Sequence, residues 1–316
     1  MKLAKSVKIV ELALRDGIQN EATQLSIQQR LALADKLLDA GIKNLEVGAF
    51  VSEKWVPQMA VTKDLVPAID LLIQKKKHQK VMTTVLVPNE QGMKKAIDSK
   101  VKEVAIFAAC TESFSRKNIN CSIDESFERF DAIMKLAKKH KIKVRGYLSV
   151  CFGCPFEGRV DEKKVLQIAK RMHDLGVYEV SIGDTIGVAS SGQVISLFKK
   201  LIKVIPAKKL AGHFHDTRGQ ALSNILAAYL LGIQTFDSSL GGLGGCPYAP
   251  GATGNVSTED VIYMFNSLQV KTGIDLPKLI ATNHWLQPMM NHPLPSKVGK
   301  VGLLQLKGKV SKNFTT

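Results

Sequence analysis

The sequence lacks any long apolar run and any apolar core of a secretion signal. No uninterrupted stretch of about 18 apolar residues occurs among its 316 residues, so we expect no membrane span and no membrane partner. Residues 1–8 intersperse lysines with apolar side chains and form no signal core, which predicts a cytoplasmic and not a secreted protein.

Cysteine is scarce and odd in number, which argues against a disulfide framework. The five cysteines are Cys110, Cys121, Cys151, Cys154 and Cys246. Without a secretion signal, this usage predicts reduced thiols. The pair Cys151 and Cys154 forms one CxxC, and no second CxxC completes a zinc site. We therefore expect structural loop cysteines there, with a redox pair as the alternative.

Acidic and aromatic residues are also few. The chain has 28 Asp and Glu against 44 Lys and Arg, a formal charge of +16, with five Tyr and two Trp. Nucleic-acid-binding proteins can be this basic, but they cluster their basic residues on one face. Here the lysines are dispersed in short runs and aromatic stacking platforms are missing. We expect no nucleic-acid partner, and a basic field that attracts an anionic small substrate such as an acyl-CoA.

Short β-branched runs alternate with longer segments of helical periodicity. This pattern predicts an α/β protein, a closed parallel (β/α)8 TIM barrel, with an open doubly wound sheet as the alternative. Eight evenly spaced units favour closure. The predicted strands are Val7–Leu12, Asn44–Val47, Val81–Val87, Glu103–Phe107, Lys143–Ser149, Tyr178–Ile182, Leu210–His215 and Thr235–Ser239.

The predicted catalytic domain occupies residues 1–296 and includes additional C-terminal helices. Ser257 looks like the N-cap of a helix, and the proline-containing segment 276–295 predicts further helices over the barrel. Residues 297–316 form a basic, glycine-interrupted tail that we expect to be at least partly disordered.

Two histidines in one predicted strand provide the strongest chemical signal. His213 and His215 are one residue apart, so their side chains share a face of the strand and can converge on one cation. The alternative is a pair of core histidines satisfied by hydrogen bonds. Two histidines at this spacing near a strand end favour a metal.

The presumed strand ends collect most of the remaining polar candidates, which is where TIM barrels place their chemistry. Asp16 follows the first strand and Asn255 follows the last, so both can reach His213 and His215. Imidazole, carboxylate and amide ligands suit Mg²⁺ or Mn²⁺, whereas thiolates would select zinc. We therefore predict a divalent cation, Mg²⁺ or Mn²⁺, bound by Asp16, His213, His215 and Asn255.

Several motifs together resemble the 3-hydroxy-3-methylglutaryl-CoA lyase family. The resemblance runs from about residue 7 to about residue 273. It is carried by Arg15-Asp-Gly-Ile-Gln-Asn-Glu21, Phe50-Val-Ser-Glu-Lys-Trp-Val-Pro-Gln-Met59, Asn118-Ile-Asn-Cys-Ser-Ile123, Arg145-Gly-Tyr147, Gly183-Asp-Thr-Ile-Gly187, Ala211-Gly-His-Phe-His-Asp-Thr217 and Gly241-Gly-Leu-Gly-Gly-Cys-Pro-Tyr248.

The resemblance implies a metal-assisted retro-Claisen cleavage of 3-hydroxy-3-methylglutaryl-CoA to acetyl-CoA and acetoacetate, as in leucine degradation or ketone-body formation. It implies the same four metal ligands and places Arg15 beside the thioester carbonyl. Further site residues implied are Cys246 on a closing loop, the acidic Glu46 and Asp184, and Gln19 and Asn118 as substrate-binding residues. We also expect a homodimer.

Each of these further residues has a structural alternative. Glu46 can pair with a neighbouring lysine, Asp184 can cap the following helix, and Cys246 can be an inert loop thiol. Asn118 can be a solvated loop residue. The residue that takes the proton from the C3 hydroxyl, Asp184 or a histidine, stays open.

The chain departs from the family pattern at two places, and related barrels offer other functions. Ala13-Leu14 replaces a common Gly-Pro, and Arg218 replaces a common tyrosine, which adds positive charge near the entrance. A barrel that condenses acetyl-CoA with a 2-oxo acid, or that cleaves another 3-hydroxyacyl-CoA, is the alternative enzyme.

Overall fold

Eight parallel strands close into a barrel in the computed structural model, which describes residues 3–76, 80–245 and 254–302. Around the barrel the order is β1-β10-β9-β8-β5-β4-β3-β2, so β1 pairs with both β10 and β2. The predicted TIM barrel is confirmed, and the open sheet is wrong. The strands are β1 (Lys8–Glu11), β2 (Asn44–Ala49), β3 (Met82–Leu86), β4 (Glu103–Ala109), β5 (Lys143–Ser149), β6 (Gly153–Cys154), β7 (Gly158–Arg159), β8 (Val180–Asp184), β9 (Leu210–Phe214) and β10 (Thr235–Ser238).

Helices between the strands cover the outside of the barrel, and serine residues cap the N-termini of three of them. Ser26, Ser122 and Ser190 each form a capping box with the residue three positions on, which satisfies free N–H groups of the first turn. The helices are α1 (Ile27–Asp39), α2 (Thr62–Lys75), α3 (Glu90–Asp98), α4 (Glu112–Ile119), α5 (Ile123–His140), α6 (Glu162–Asp174), α7 (Ser191–Leu201), α8 (Ala221–Leu230), α9 (Thr258–Ser267), α10 (Leu276–Leu286) and α11 (Lys297–Val301).

Two local elements depart from the predicted alternation of strand and helix. Residues Ala13–Gly17 form one turn of π-helix directly after β1, where the sequence predicted only a loop. The short strands β6 and β7 pair antiparallel as a separate hairpin around the CxxC segment. π-turns of this kind occur frequently at functional sites.

The barrel interior carries a chain of charged side chains, of which Lys8 is partly exposed and the other three are buried. Lys8 Nζ lies 2.7 Å from Glu179 Oε2, and Arg145 Nε donates to Glu179 Oε1 at 2.8 Å. Arg145 Nη2 donates to Asp237 Oδ1 at 2.8 Å. We call these four residues the charged interior chain. Its upper end, Asp237, lies on β10 beside the strand that carries His213.

The C-terminal helices α10 and α11 pack against the outer helices α1 and α9 and extend past the predicted boundary at residue 297. Ser257 caps α9, as its sequence predicted, and Asp260 accepts the backbone N–H groups of Lys297 and Val298 at the start of α11. The predicted tail therefore begins in a helical turn, and residues 303–316 lie outside the described residues. Within the described ranges, no helix is long and apolar enough to cross a membrane.

Candidate functional site

A cavity of about 400 Å³ opens at the carboxyl ends of the barrel strands. Arg15, Asp16, His213 and His215 line its floor side together with the ends of β5 and β8. The exposed Trp55 and the residues Asn118–Asn120 at the end of α4 also line the cavity. The cavity thus lies at the end of the barrel where the sequence placed the polar candidates.

The π-turn Ala13–Gly17 delivers Arg15 and Asp16 to the cavity. The N–H groups of Arg15 and Gly17 both donate to Leu12 O at 3.0 Å, which tightens the chain where β1 ends. Glu11 fixes the turn from outside the barrel, because its Oε1 accepts the N–H groups of Ala13 and Leu240, each at 2.9 Å. Complete burial raises the pKa of Glu11 to about 7 despite these hydrogen bonds.

Asp16, His213 and His215 form a cluster that can hold a metal ion. Their potential ligand atoms all lie within 4.8 Å of one another. His215 lies just past the end of β9, and its ring centroid is 5.2 Å from that of His213. Nδ1 of His215 is buried and has no hydrogen-bond partner in the described part of the chain. Buried polar atoms without partners are costly, and a nitrogen and oxygen donor set fits a divalent cation.

The protonation states of the cluster suit a cation. Burial by itself would raise the pKa of Asp16, but Arg15 and the two histidines outweigh it and lower that pKa to about 2. Burial lowers the pKa of His215 to about 3, with a further contribution from the neighbouring His213. At neutral pH, Asp16 is therefore a carboxylate and His215 a neutral imidazole, the forms that bind metals.

Asn255 joins this cluster from the segment before α9. Its backbone forms an isolated bridge with His215, and its Nδ2 donates to Asp16 Oδ2 at 2.7 Å and to Leu243 O at 3.2 Å. Both amide hydrogens are thus engaged, and the carbonyl oxygen is the atom left for a ligand. The structure therefore brings all four predicted metal ligands together.

Arg15 is held between two carboxylates and an aromatic ring. Its Nη1 donates to Asp16 Oδ1 at 2.5 Å, and its Nε donates to Glu46 Oε2 at 2.9 Å. Tyr147 OH donates to the same Glu46 oxygen at 3.2 Å. Burial raises the pKa of Glu46, and the Arg15 guanidinium opposes that rise. Glu46 is fully buried and pairs with Arg15, not with the neighbouring lysine of the alternative interpretation.

Two residues of the charged interior chain lie directly behind the cluster, and the sequence analysis assigned neither a role. Asp237 Oδ2 lies 3.4 Å from His213 Nδ1 and accepts a hydrogen bond from Ser181 Oγ at 2.6 Å. Burial opposes ionisation of Asp237, but Arg145 and His213 hold its pKa well below its usual range. A charged residue inside each of two predicted strands, Arg145 in β5 and Asp237 in β10, was the signal available in the sequence.

Asp184 caps the turn that follows β8. Its Oδ1 accepts from Val188 N and its Oδ2 from Ala189 N, each at 3.0 Å. Burial raises the pKa of Asp184, and these two backbone hydrogen bonds oppose the rise. The cavity is lined by its neighbours Gly183 and Thr185. The N-cap of the following helix α7 is Ser190, so Asp184 holds the turn between β8 and α7 and does not cap that helix.

The sequence also singled out Gln19, Asn118, Cys246 and Arg218, and the described ones among them differ in where they lie relative to the cavity. Gln19 and Asn118 both line the cavity, Gln19 just after the π-turn and Asn118 in the last turn of α4. Cys246 lies outside the described residues. Arg218 reaches the backbone carbonyls of Ile186 and Gly187 at 2.9 Å and 3.1 Å, so its charge supports the turn after β8.

The CxxC cysteines pack inside the protein. Cys154 Sγ accepts hydrogen bonds from Thr111 Oγ1 at 3.1 Å and from Phe156 N at 3.4 Å. Cys151 Sγ donates to Leu148 O at 3.1 Å. Their burial and backbone contacts agree with the expected structural role.

A profile of the HMGL-like family matches residues 6–286. The chain belongs to the HMGL-like family. Members of this family resemble the chain over nearly its whole length. It is 48% identical over 280 residues to the 3-hydroxy-3-isohexenylglutaryl-CoA/hydroxy-methylglutaryl-CoA lyase of Pseudomonas aeruginosa, covering 89% of this chain and 91% of that protein.

Solved structures of the family superpose closely on this HMGL-like protein. The hydroxymethylglutaryl-CoA lyase from Pseudomonas aeruginosa is 45% identical with a TM-score of 0.91, over 95% of this chain and 98% of that one. An HMG-CoA lyase from Acinetobacter baumannii, in complex with coenzyme A and 3-methylmalate, is 31% identical with a TM-score of 0.90, over 98% and 99% of the two chains. The resemblance inferred from the sequence motifs is confirmed.

Proposed function

We propose that the protein is a divalent-cation-dependent carbon–carbon lyase that cleaves 3-hydroxy-3-methylglutaryl-CoA to acetyl-CoA and acetoacetate. The observation that carries this proposal is the convergence of Asp16, His213 and His215 within 4.8 Å, beside Arg15 at the cavity floor. The matches to hydroxymethylglutaryl-CoA lyases across most of the chain give the substrate.

We assign the metal to Mg²⁺ or Mn²⁺, bound by Asp16, His213, His215 and Asn255. Mixed carboxylate, amide and imidazole donors favour these ions, and no thiol contributes among the described cavity residues. A bound divalent cation supplies Lewis acidity and orients oxygen atoms of the substrate.

Arg15 is the residue that stabilises negative charge on the thioester oxygen when the C2–C3 bond breaks and an enolate forms. Its guanidinium stays charged, because Asp16 and Glu46 raise its pKa further against the opposing effect of burial. The two carboxylates also fix its orientation before substrate arrives, and a preorganised donor costs no reorganisation during the reaction. Glu46 therefore acts by positioning Arg15.

Two proton transfers accompany the cleavage: a base takes the proton of the C3 hydroxyl, and an acid returns a proton to the enolate carbon. Of the two candidate bases, Asp184 and a histidine, we retain the histidine. We assign Asp184 to holding the turn after β8, because both of its oxygens accept backbone N–H groups. Cys246, outside the described residues, remains our candidate for returning a proton to the enolate carbon.

The loops at the cavity mouth are the proposed binding region for the CoA portion. Gln19 and Asn118 line it and offer amide groups to a polar chain. The formal charge of +16 favours an anionic thioester. The related Acinetobacter baumannii structure contains coenzyme A, which supports an acyl-CoA ligand here.

The direct test is acetoacetate release by purified protein with 3-hydroxy-3-methylglutaryl-CoA and added Mg²⁺ or Mn²⁺. We expect activity that chelation abolishes and that cation addition restores. His213→Ala should remove it, whereas His140→Ala, at the exposed end of α5, should leave it unchanged. Absence of acetoacetate with fresh metal and reductant would refute the proposal.

A wider acyl range is a second candidate, because the Pseudomonas aeruginosa relative is named for an isohexenyl substrate as well. A panel of 3-hydroxyacyl-CoA esters with longer C3 substituents, assayed for acetyl-CoA, would measure this range. Free-CoA release with 2-oxo acids and acetyl-CoA would detect the condensing alternative. The expected homodimer stays a prediction, checked by sedimentation equilibrium.

A further inference from the structure

We propose that Asp237 is a positioning residue that orients His213 for metal binding. The inference rests on the proposed metal site and extends it to the barrel interior beneath that site. The geometry that supports it lies in the pairing of β9 with β10 and in the contacts of the Asp237 carboxylate.

Strand register brings Asp237 to His213. The two residues are direct register partners on the neighbouring parallel strands β10 and β9. Their side chains point to the same face, so the carboxylate lies beside the imidazole, with Oδ2 3.4 Å from Nδ1. This separation is slightly longer than a hydrogen bond, and a small rotation of the ring closes the difference.

The carboxylate is itself fixed from two sides. Arg145 Nη2 donates to Oδ1 at 2.8 Å, and Ser181 Oγ donates to Oδ2 at 2.6 Å. Arg145 is anchored in turn by Glu179. Asp237 is 1% exposed, so no water competes for its oxygens from bulk solvent. The His213 imidazole therefore faces a carboxylate whose orientation is fixed by these two hydrogen bonds.

An acceptor at Nδ1 determines which nitrogen of His213 is free for a metal. A carboxylate favours the tautomer with hydrogen on Nδ1, which leaves the Nε2 lone pair available. The buried Nδ1 of His213 otherwise has no hydrogen-bond partner among the residues described. Asp237 thus fixes the orientation of the His213 ring, which the backbone of β9 alone does not determine.

The interior of the same barrel offers a matched control. Glu103 at the start of β4 is also a buried carboxylate, 4% exposed, and accepts from Thr84 Oγ1 at 2.7 Å and Tyr178 OH at 3.0 Å. Both hydrogen bonds lie away from His213 and His215. Glu103→Gln and Asp237→Asn therefore make the same carboxylate-to-amide change at different distances from His213.

The experiment is a titration of chelator-treated protein with Mn²⁺ at pH 8, with free Mn²⁺ measured by electron paramagnetic resonance. We expect Asp237→Asn to raise the Mn²⁺ dissociation constant by about 10- to 100-fold. Glu103→Gln should change it by less than about threefold, and circular dichroism checks the fold of each variant. Equal dissociation constants for wild type and Asp237→Asn would overturn the inference.

Two further measurements cover the case in which Asp237→Asn fails to fold. Ser181→Ala removes one support of the carboxylate and keeps its charge, and we expect a smaller rise in the Mn²⁺ dissociation constant. Nitrogen-15 NMR of the metal-free wild type should show His213 as the Nδ1–H tautomer. The Nε2–H tautomer in wild type would contradict the inference.

Failure of the proposed metal site gives a different result from failure of this inference. If wild type and His213→Ala bind Mn²⁺ equally, the metal site itself is wrong. If binding depends on His213 but not on Asp237, the site stands and the positioning role is wrong.

Discussion

At the scale of single residues, Arg15 is held by contacts that only a planar guanidinium can make. It contacts Asp16 and Glu46 through different nitrogens of one planar group, and its guanidinium carbon lies 5.6 Å from the Tyr147 ring centroid. A lysine ammonium has no fork that reproduces these contacts. The charge alone would not keep the donor in place.

Arg15→Lys should therefore lower kcat by roughly 10²- to 10³-fold, the usual cost of losing an aligned donor to a developing oxyanion. The effect on KM should be much smaller. Steady-state kinetics at saturating Mg²⁺ measure both. Arg171→Lys, which alters an exposed ion pair with Asp124 on the outer helices, serves as the control and should leave kcat unchanged.

The buried Glu11 predicts a pH dependence of stability. Its pKa is raised from 4.5 to about 7 in the folded protein, so the native state binds more protons than the unfolded state between these values. Stability from this residue is therefore greatest below about pH 4.5 and declines as pH rises through about 7. The shift corresponds to roughly 3 kcal/mol.

Glu11→Gln removes this titration while its side-chain oxygen can still accept from Ala13 and Leu240. We expect the free energy of unfolding of the variant, relative to wild type, to rise by roughly 3 kcal/mol between pH 4.5 and pH 8. Urea unfolding in the presence of chelator at both pH values measures it. A constant difference between the two proteins would show that Glu11 does not titrate in this range.

The sequence predicted the residues of the site whose positions follow from strand periodicity. His213 and His215 share a face because of their spacing. Asn255 follows β10, the neighbour of β9, and Asp16 follows β1, the next strand around the barrel. Asp237 was missed because its role depends on register with His213 in another strand, which no local pattern reveals. Cys246 lies outside the described residues, so its role stays a prediction.

At the scale of elements, Gly183 in β8 has no room for a side chain against β5 beside the site. A Cβ placed on Gly183 would lie 2.8 Å from the backbone oxygen of Leu148 in β5. Gly183 is also the register partner of His213. A glycine is thus required at position 183 for β8 to lie at its observed distance from β5 beside His213.

Gly183→Ala should push β8 away from β5 and destabilise the fold by about 1–3 kcal/mol, the common cost of overpacking. Gly192→Ala is the matched control: its added Cβ meets only Ser190 Oγ, at 3.9 Å, in the first turn of α7. That change should stabilise by about 0.4–1 kcal/mol. Thermal unfolding of both variants compares them, and equal effects would contradict the close-contact argument.

Element boundaries were predictable where they follow from periodicity and caps. The eight strands lie within one or two residues of their predicted limits, and Ser257 caps α9 as expected. The π-turn Ala13–Gly17 was not predicted, because hydrogen bonds from Glu11 and Leu12 hold it and not a local sequence signal. Likewise, the hairpin of β6 and β7 has strands too short for periodicity to reveal.

At the scale of the whole molecule, the positive charge should act on substrate capture. The net charge of +16 attracts an anionic thioester over distances that salt screens, since the Debye length falls from about 30 Å at 0.01 M to about 8 Å at 0.15 M. We expect kcat/KM to fall at least about threefold across this range, with kcat nearly constant. Kinetics in two different 1:1 salts measure this, and a salt-independent kcat/KM would refute it.

The barrel as a whole followed from the count and spacing of its units, because eight parallel strands with intervening helices close in a single right-handed way. The polar character of its interior did not follow. Most barrels fill this space with branched apolar side chains. Here the charged residues were visible in the sequence, but only the folded structure shows which of them neutralise one another.

The charged interior chain also bears on how the protein folds. Arg145 finds its partners 34 and 92 positions along the sequence, and Lys8 is separated from Glu179 by 171 positions. An intermediate that lacks β8 or β10 leaves a buried or half-buried guanidinium without compensation, which is costly. We therefore expect partly closed barrels to be unstable, and β8 and β10 to join the barrel together.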